Sequence, residues 1–265
     1  MSTDPEEKLA EGTLISHLLE LRDRLIRCCI AVAIVFIPCM SFANELFTYV
    51  AKPLMDKLPH GNTLIATTVM SPFLTPFKTA FFVAVLGAMP YVLYQVWAFV
   101  APGLYRHEKR FAVPLLMTSI VLFYAGIAFA YFVVFPVMFA FFASTTPPGV
   151  SMMPDIGAYL DFLVKMFFAF GVAFEVPIAV VLLVSTGIVR LEKLKSNRGY
   201  VLIGIFVLAA LITPPDAVSQ SIMAIPMYAL YEGGIVMAGL ISNAKRKAAE
   251  AAASNDKDKE GKQGA

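Results

Sequence analysis

The chain has 265 residues, of which 58% are hydrophobic and 15% are charged. Soluble globular domains carry about 25% charged residues, so this composition excludes an ordinary soluble domain and favours a membrane protein. The formal net charge of +2 is too small to indicate nucleic acid as a partner, because duplex binding needs many Lys and Arg side chains clustered on one face.

Apolar segments of membrane-spanning length dominate the chain, since a hydrocarbon core of about 30 Å needs about 20 helical residues. Leu25–Phe42 is too long for the apolar core of a cleaved signal peptide, so we expect it to be retained. The uncharged run Phe111–Pro154 is too long for one helix, and Pro136 and residues 145–149 are expected to break it. The six predicted spans are Leu25–Ala43, Thr79–Tyr105, Ala112–Phe135, Tyr159–Val184, Gly199–Ile212 and Ser221–Leu240.

Basic residues are unequally distributed between the connecting segments, with 17 of the 21 on one side of the predicted spans. The positive-inside rule then places both termini in the cytoplasm. The segments expected to face outward are 44–75, 136–158 and 213–220.

The predicted fold is therefore an all-α integral membrane protein with six transmembrane helices, N-in and C-in. It has a short amphipathic N-terminal helix, and its fifth and sixth helices are expected to be short. The polar, charged composition of the C-terminal end predicts disorder there. The predicted divisions are a cytoplasmic N-terminal segment with the amphipathic helix (1–24), a six-helix membrane domain (25–242) and a disordered cytoplasmic tail (243–265).

The segment Thr13–Arg27 has apolar residues at helical spacing on one face and charged residues on the other. This pattern predicts an amphipathic helix at the inner membrane surface that runs into the first span. The simplest interpretation of its charges is two ordinary i,i+4 ion pairs, Glu20 with Arg24 and Asp23 with Arg27, each contributing about 0.2–0.5 kcal/mol.

Three acidic residues elsewhere are harder to explain as scaffold. Glu108 is a lone carboxylate in the basic run Arg106–Arg110, and beside an anionic leaflet it is suited to holding a cation. Glu175 lies near the middle of the fourth span, where a carboxylate costs several kcal/mol unless it is paired, protonated or hydrated, so a functional role is expected. For Glu232, function and packing are equal alternatives, because the neighbouring Gly233 and Gly234 could admit a close helix.

Enzyme chemistry has no support in the sequence. Zinc-protease, nucleophile-elbow, Walker and dinucleotide patterns are absent. The histidines His17, His60 and His107 are too scattered to form one metal site. We therefore predict neither a catalytic residue nor a metal or other cofactor.

Several specific runs together resemble the TatC family, the multi-spanning subunit of the twin-arginine, Sec-independent protein translocase. The resemblance extends from Leu14 to about Gly239. The runs that carry it are His17-Leu18-Leu19-Glu20-Leu21-Arg22, Ser71-Pro72-Phe73, Tyr94-Gln95-Val96-Trp97-Ala98-Phe99, Ala101-Pro102-Gly103-Leu104-Tyr105, His107-Glu108, Phe170-Gly171-Val172-Ala173-Phe174-Glu175-Val176-Pro177 and Thr213-Pro214-Pro215-Asp216.

The resemblance implies a non-enzymatic receptor in the bacterial cytoplasmic (inner) membrane. Such a receptor binds signal peptides that carry two consecutive arginines and helps to export folded proteins with the proton-motive force. It implies that Glu20 and Glu108 bind the arginine pair, with Arg22 and Phe99 at the same site. The implied partners are single-span subunits of the TatA and TatB type in a multi-copy complex, the signal peptides of folded cargo and membrane lipid.

The resemblance also marks residues outside that site. It implies that Pro53, Tyr131, Glu175, Asp216 and Gln220 are sensitive for function. Thr213 and Gln220 are further expected to hydrogen-bond a partner helix at the short fifth span.

Two other functions stay open on the residues alone. A proton-coupled solute carrier would also use Glu175, but the ionisable or broken-helix midplane site that it needs is sparse here. A passive scaffold for other membrane subunits would explain the short fifth span, and its inner acidic residues should be replaceable without loss.

Overall fold

The computed structural model of the protein describes residues 5–56, 63–104, 112–147, 149–150 and 153–263. Within these ranges the chain is helical, and its only extended pairing is an isolated bridge between Ile65 and Asp155. The elements are α1 (Pro5–Ser41), α2 (Ala43–Met55), α3 (Ser71–Leu104), α4 (Ala112–Phe129), a π-helical turn (Ala130–Val134), α5 (Phe135–Ser144), α6 (Ile156–Ser185), α7 (Leu191–Ser196), α8 (Arg198–Ile212) and α9 (Ala217–Gln263).

By length and composition, five helical segments of the described chain are able to cross a membrane, and α8 is a shorter apolar helix. The all-α membrane fold is thus confirmed, whereas the count of six spans depends on α8 and stays a prediction. The chain divides into two compact units. Unit 1 is Met1–Val121 with Phe135–Lys165, and unit 2 is Leu122–Val134 with Met166–Ala265.

In unit 1, α1 is one continuous helix of 37 residues. The predicted N-terminal helix therefore runs into the first span, as expected, and forms one helix with it. The chain between Gly12 and Pro38 contains no glycine or proline, so nothing interrupts the backbone hydrogen bonds where the amphipathic segment meets the apolar one. The polar N-terminal part and the first span consequently form a single rod that packs along α3.

Helix α3 begins at Ser71, eight residues before the predicted start of the second span at Thr79. Lys78 ends the uncharged run in the sequence, but in the structure it lies exposed on the helix, and its Nζ donates to Asp161 Oδ1 at 3.1 Å. A single exposed charge limits the apolar part of a helix without ending the helix itself.

A polar latch joins the segment before α3 to the start of α6. The backbone N–H of Ile65 donates to Pro154 O at 3.0 Å, and that of Ile156 donates to Ile65 O at 2.9 Å. Asp155 Oδ2 accepts bonds from the Thr67 N–H at 2.9 Å and the Thr67 hydroxyl at 2.7 Å. Its Oδ1 accepts the backbone N–H groups of the first turn of α6. These bonds, the Thr67 hydroxyl above all, lower the pKa of Asp155 to about 2.

The predicted break at Pro136 is wrong, because the helix runs on through the π-helical turn into α5 and ends only at Ser144. Proline normally breaks a helix because it lacks an N–H and its ring crowds the preceding turn. A π-helical turn shifts the hydrogen-bond register by one residue, and this wider turn ends two residues before Pro136. The third apolar segment therefore spans Val113–Ser144, 32 residues long.

Unit 2 is held together by close helix contacts at glycines. A Cβ atom built on Gly126 of α4 would lie 2.5 Å from Phe170 O of α6, and one on Gly171 would lie 2.6 Å from a ring carbon of Phe123. Because real Cβ atoms do not approach so closely, α4 and α6 pack at this distance only with glycine at both positions. Phe123 and Phe170 are fully buried there.

The last two spans differ from each other more than the sequence predicts. The short fifth span is confirmed, since α8 has 15 residues, but the prediction of a short sixth helix is wrong. Helix α9 has 47 residues, and its apolar part alone, Ala217–Ala244, has 28. The backbone of 243–263 continues this helix, where the composition predicts disorder. The segment is rich in Ala and Lys, which are strong helix formers.

Candidate functional site

A polar network in unit 1 joins α1 to α3 around Arg24. Its Nε and Nη2 donate to Glu20 Oε1 at 2.9 and 2.6 Å, one helical turn earlier. Its Nη1 donates to Gln95 Oε1 at 3.0 Å, and Nη2 also donates to the backbone carbonyl of Ala98 at 3.1 Å. Gln95 is buried, being 3% exposed. The guanidinium is thus held on acceptors from two helices.

The two partners of this ion pair differ in exposure. The Arg24 side chain is 20% exposed, whereas that of Glu20 is 42% exposed. The arginine therefore lies largely between the helices, and the carboxylate extends to the surface. The network presents a fixed acidic group on α1.

An aromatic stack lies one turn before Glu20 on α1. The rings of His17 and Phe99 have centroids 4.3 Å apart and an interplanar angle of 25°. Beside Phe99 on α3, the Trp97 indole N–H donates to the Ser119 hydroxyl at 3.0 Å, which ties α3 to α4. Phe99 and Glu20, both predicted site residues, are therefore brought to the same end of the α1 and α3 pair.

Two other predicted residues of this site have a different outcome. Arg22 is exposed, and its guanidinium pairs with the adjacent Asp23 at 2.7 Å instead of joining the Arg24 network. The expected ion pair between Asp23 and Arg27 is therefore wrong, because the Asp23 carboxylate pairs with Arg22 instead. Glu108 lies outside the described residues.

Sequence reasoning found the contact between Glu20 and Arg24 but missed its significance. The i,i+4 spacing predicts the pair, and the structure confirms it. Nothing in the spacing shows that Gln95 and the Ala98 carbonyl complete the coordination of Arg24. A buried glutamine on an otherwise apolar helix was the available signal, since a buried amide requires a partner.

The intramembrane candidates lie in unit 2. Glu175 on α6 is half-buried, and its Oε1 atom is buried. Tyr131 lies in the π-helical turn, where its ring is nearly parallel to that of Phe167, with centroids 6.4 Å apart and an interplanar angle of 13°. In unit 1, Pro53 is in the last turn of α2.

The junction between α8 and α9 holds the remaining three candidates. Thr213 is buried and ends α8, with its hydroxyl donating to Ala209 O at 2.9 Å. Asp216 begins α9 by accepting the Ser219 N–H at 2.7 Å, a bond that lowers the pKa of this carboxyl. The Gln220 N–H donates to Asp216 O at 3.2 Å. Asp216 thus has a clear structural function as a helix cap.

Glu232 has structural partners on two helices, and the neighbouring Gly233 is not the position of close helix packing. Its Oε2 accepts a bond from Arg198 Nη2 at 2.7 Å, and its Oε1 accepts one from the Tyr228 hydroxyl at 2.9 Å. Close packing occurs at Gly234, where a Cβ atom would lie 2.9 Å from Pro177 Cα, while Gly233 has nothing within 4 Å. Glu232 therefore joins α8 to α9.

The described part of the chain contains no candidate metal site. No group of three or more His, Cys, Asp or Glu residues there is placed to hold a metal ion.

Comparison with known proteins agrees with this fold over most of the chain. The family model for the Sec-independent protein translocase protein (TatC) matches residues 16–226. The TatC protein of Azotobacter chroococcum mcd 1 is 53% identical over 236 residues, covering 89% of this chain and 92% of that protein. The TatC protein of Escherichia coli K12 is 54% identical over 222 residues, covering 84% and 86%.

A solved structure gives the same result in three dimensions. A crystal structure of the twin-arginine translocase receptor TatC matches with a TM-score of 0.78 and 38% identity, covering 85% of this chain and 99% of that one. The fold and these matches define a multi-helix membrane component of a protein translocase. The chain belongs to the TatC family.

Proposed function

We propose that this chain is the receptor of a twin-arginine translocase and binds the arginine pair of a signal peptide at Glu20 and Glu108, with Arg22 and Phe99 beside them. The observation that carries the proposal is the half-exposed Glu20 carboxylate, which Arg24 fixes to α3 close to the stacked rings of His17 and Phe99. A similar solved protein is described as a twin-arginine translocase receptor.

The chemistry of this site suits arginine. A guanidinium is planar and permanently charged, donates to carboxylates through directional hydrogen bonds and stacks on aromatic rings. Exposed ion pairs contribute only about 0.2–1 kcal/mol each, so two carboxylates provide selectivity more than affinity. Burial of the apolar segment of the signal peptide, at about 25 cal/mol per Å², provides the larger part of the binding free energy.

The direct test is peptide binding to the full chain in lipid nanodiscs. Glu20→Gln and Glu108→Gln should each weaken binding of an Arg-Arg peptide, and the double variant should bind Arg-Arg and Lys-Lys peptides alike. Glu192→Gln is the matched control, because Glu192 is an exposed acid on α7. Parent-like discrimination by the double variant would remove the assignment of this site.

The proposed topology has six spans, with both termini in the cytoplasm of a bacterial cell and the chain in the cytoplasmic membrane. Thr146→Cys should react with an impermeant thiol reagent from outside, and Lys195→Cys only after the inner face is opened. Both variants are made in a background without Cys28, Cys29 and Cys39. Inside labelling at position 146 would reverse the model.

The proposed partners are single-span subunits of the TatA and TatB type, in a multi-copy complex, with α8 as the docking edge. Its 15 residues extend about 22 Å at 1.5 Å per residue, short of a hydrocarbon core of about 30 Å. One exposed apolar stripe runs along it, formed by Tyr200, Ile203, Val207 and Leu211. Because the Thr213 hydroxyl already donates to Ala209 O, it has only an acceptor role left for a partner.

Photocrosslinkers placed along this stripe test the partner proposal. Positions 203 and 207 should crosslink to a single-span subunit, whereas exposed Val121 on α4 serves as the control for random collision. Crosslinks confined to α4 and α5 would contradict a docking edge at α8.

We further propose that Glu175 participates in transport driven by the proton-motive force. Its half-buried position in α6 supports this, since a carboxylate within a span is costly unless it has a use. Glu175→Gln should keep assembly and peptide binding, and Glu175→Ala should lower export more than abundance. Full export by the Ala variant at normal abundance would show that the carboxylate is dispensable.

A further inference from the structure

Arg24 is bound more completely than an ordinary surface ion pair requires. Its guanidinium makes four hydrogen bonds to three acceptors, on Glu20, Gln95 and Ala98. Two of these acceptors belong to α3, so displacing the guanidinium would leave the buried Gln95 amide oxygen without its donor. Arg24 is therefore a fixed part of the site and not a side chain that leaves when a ligand arrives.

Arg24 binds only one of the two oxygens of the Glu20 carboxylate. Both bonds reach Oε1, and among the described residues no donor reaches Oε2. A carboxylate has about four lone-pair sites, so Oε2 remains able to accept N–H groups from a ligand. Since the side chain is 42% exposed, a peptide arriving from the surface has access to it.

Arg24 also cancels the charge that an approaching cation would meet. The Glu20 carboxylate and the Arg24 guanidinium, 2.6 Å apart, together carry no net charge. The adjacent pair of Arg22 with Asp23 is neutral in the same way. A cation that approaches Glu20 therefore gains little long-range attraction from these two pairs and must gain from direct hydrogen bonds.

We infer that Arg24 is the residue that makes the Glu20 site selective for guanidinium over ammonium. The inference rests on the proposed function. A lysine ammonium is a compact, strongly hydrated point charge, and its binding depends on net negative potential. A guanidinium is more weakly hydrated, donates in fixed directions and stacks on aromatic faces such as His17 and Phe99. By cancelling the charge of Glu20 while binding only its Oε1, Arg24 penalises lysine more than arginine.

Two other roles for Arg24 make different predictions. If Arg24 were only a clamp between α1 and α3, its loss would weaken Arg-Arg and Lys-Lys peptides by the same factor. If Arg24 were a competitor occupying the ligand's place, its loss would strengthen the Arg-Arg peptide more than the Lys-Lys peptide. The ratio of the two dissociation constants separates all three.

The experiment measures the Kd of Arg-Arg and Lys-Lys signal peptides for the full chain in nanodiscs. In Arg24→Gln, the uncancelled Glu20 charge should tighten Lys-Lys binding, so that the ratio of Lys-Lys to Arg-Arg dissociation constants falls about fivefold, the upper range for an exposed charge pair. Arg24→Lys keeps the neutralising charge and should keep the ratio within about twofold of the parent. Arg27→Gln removes an exposed cation two turns from Glu20 and, because solvent and salt screen that charge, should change the ratio by less than about twofold.

The outcomes distinguish this inference from the function on which it depends. Unchanged Arg-Arg binding in Glu20→Gln would remove the proposed site itself. Weakened Arg-Arg binding in Glu20→Gln, together with an unchanged ratio in Arg24→Gln, would overturn only the role of Arg24. If Arg24→Gln does not fold, Arg24→Met, which keeps the aliphatic length without the charge, replaces it: a ratio that falls about fivefold supports charge cancellation, and an unchanged ratio overturns it.

Discussion

Two arginine–glutamate pairs, one in each unit, have almost the same geometry but opposite exposure. Arg24 and Glu20 in unit 1 lie 2.6 Å apart, and Arg198 and Glu232 in unit 2 lie 2.7 Å apart. In the first pair the arginine is 20% exposed and the carboxylate 42%. In the second the carboxylate is 28% exposed and the arginine 46%.

The surrounding acceptors and donors explain this difference. Arg24 is held by Gln95 and a backbone carbonyl of α3, so its carboxylate partner has open surface. Glu232 is held by Arg198 and also by the Tyr228 hydroxyl, so both of its oxygens are used within the chain. The pair in unit 1 thus presents a carboxylate at the surface, whereas the pair in unit 2 joins two helices. Only the carboxylate of the first pair is suited to bind a cation.

The largest expected effect is on the helix contact in unit 2. Gly234→Ala should lower the free energy of unfolding by about 1–3 kcal/mol, the usual cost of overpacking, because its Cβ would meet the Pro177 backbone at 2.9 Å. Gly233→Ala, with nothing within 4 Å, should be neutral or slightly stabilising. Thermal unfolding in detergent measures both, and equal shifts would contradict the close contact.

Replacing Glu232 or Glu20 by glutamine should change different properties, the first the stability of the protein and the second its affinity for the peptide. Glu232→Gln should lower stability by about 1 kcal/mol, through loss of a charge-assisted bond between α8 and α9, and leave peptide affinity unchanged. Glu20→Gln should do the reverse, with an affinity loss of about two- to fivefold. Unfolding curves and peptide titrations on the same preparations are the measurements. An affinity loss in Glu232→Gln would mean that exposure does not distinguish the pairs.

Asp155, a carboxylate held by hydrogen bonds from a hydroxyl and backbone N–H groups, makes the stability of the protein depend on pH. Asp155 has its pKa lowered to about 2 by the Thr67 hydroxyl and by backbone N–H groups. Since its unfolded pKa is about 3.9, its stabilising contribution is complete above about pH 4 and is lost as the pH falls towards 2. The parent should therefore lose more thermal stability between pH 5 and pH 3 than Asp155→Asn does. Parallel pH profiles for the two proteins would exclude the latch as the cause.

The smallest effect is expected at the exposed pair of Arg22 and Asp23. Asp23→Asn should change the free energy of unfolding by less than about 0.5 kcal/mol, because both side chains are more than half exposed. Thermal unfolding at low and high salt checks this. A salt-sensitive loss above about 1 kcal/mol would show that this pair is coupled to the Arg24 network.

The apolar helices were predictable from the sequence because apolar length is a local property. The charge-free runs predicted the apolar helices, including the short α8, and the specific motif runs predicted the family. The expected helix boundaries were wrong at two positions. Pro136 does not end its helix, because a π-helical turn comes just before it. α3 extends on both sides of Lys78, because a single exposed charge does not interrupt the backbone hydrogen bonds of a helix.

The site was only partly predictable, since its decisive contacts join residues far apart in sequence. Glu20 and Phe99 were identified by resemblance, and the bond between Glu20 and Arg24 by spacing. The bond from Arg24 to Gln95 joins residues 71 positions apart, a distance at which spacing carries no information. The 42% exposure of Glu20 is likewise a property of the folded chain.

The most direct test of the account is a photocrosslink from the peptide to the unmodified chain. A signal peptide carrying a photoreactive residue next to its arginine pair is bound, irradiated and mapped by mass spectrometry. The account predicts adducts on α1 around residues 17–20 and on the C-terminal part of α3, lost when the peptide carries Lys-Lys. Adducts confined to α8 and α9 would contradict binding of the arginine pair at Glu20. The same adducts from the Arg-Arg peptide and the Lys-Lys peptide would also contradict it.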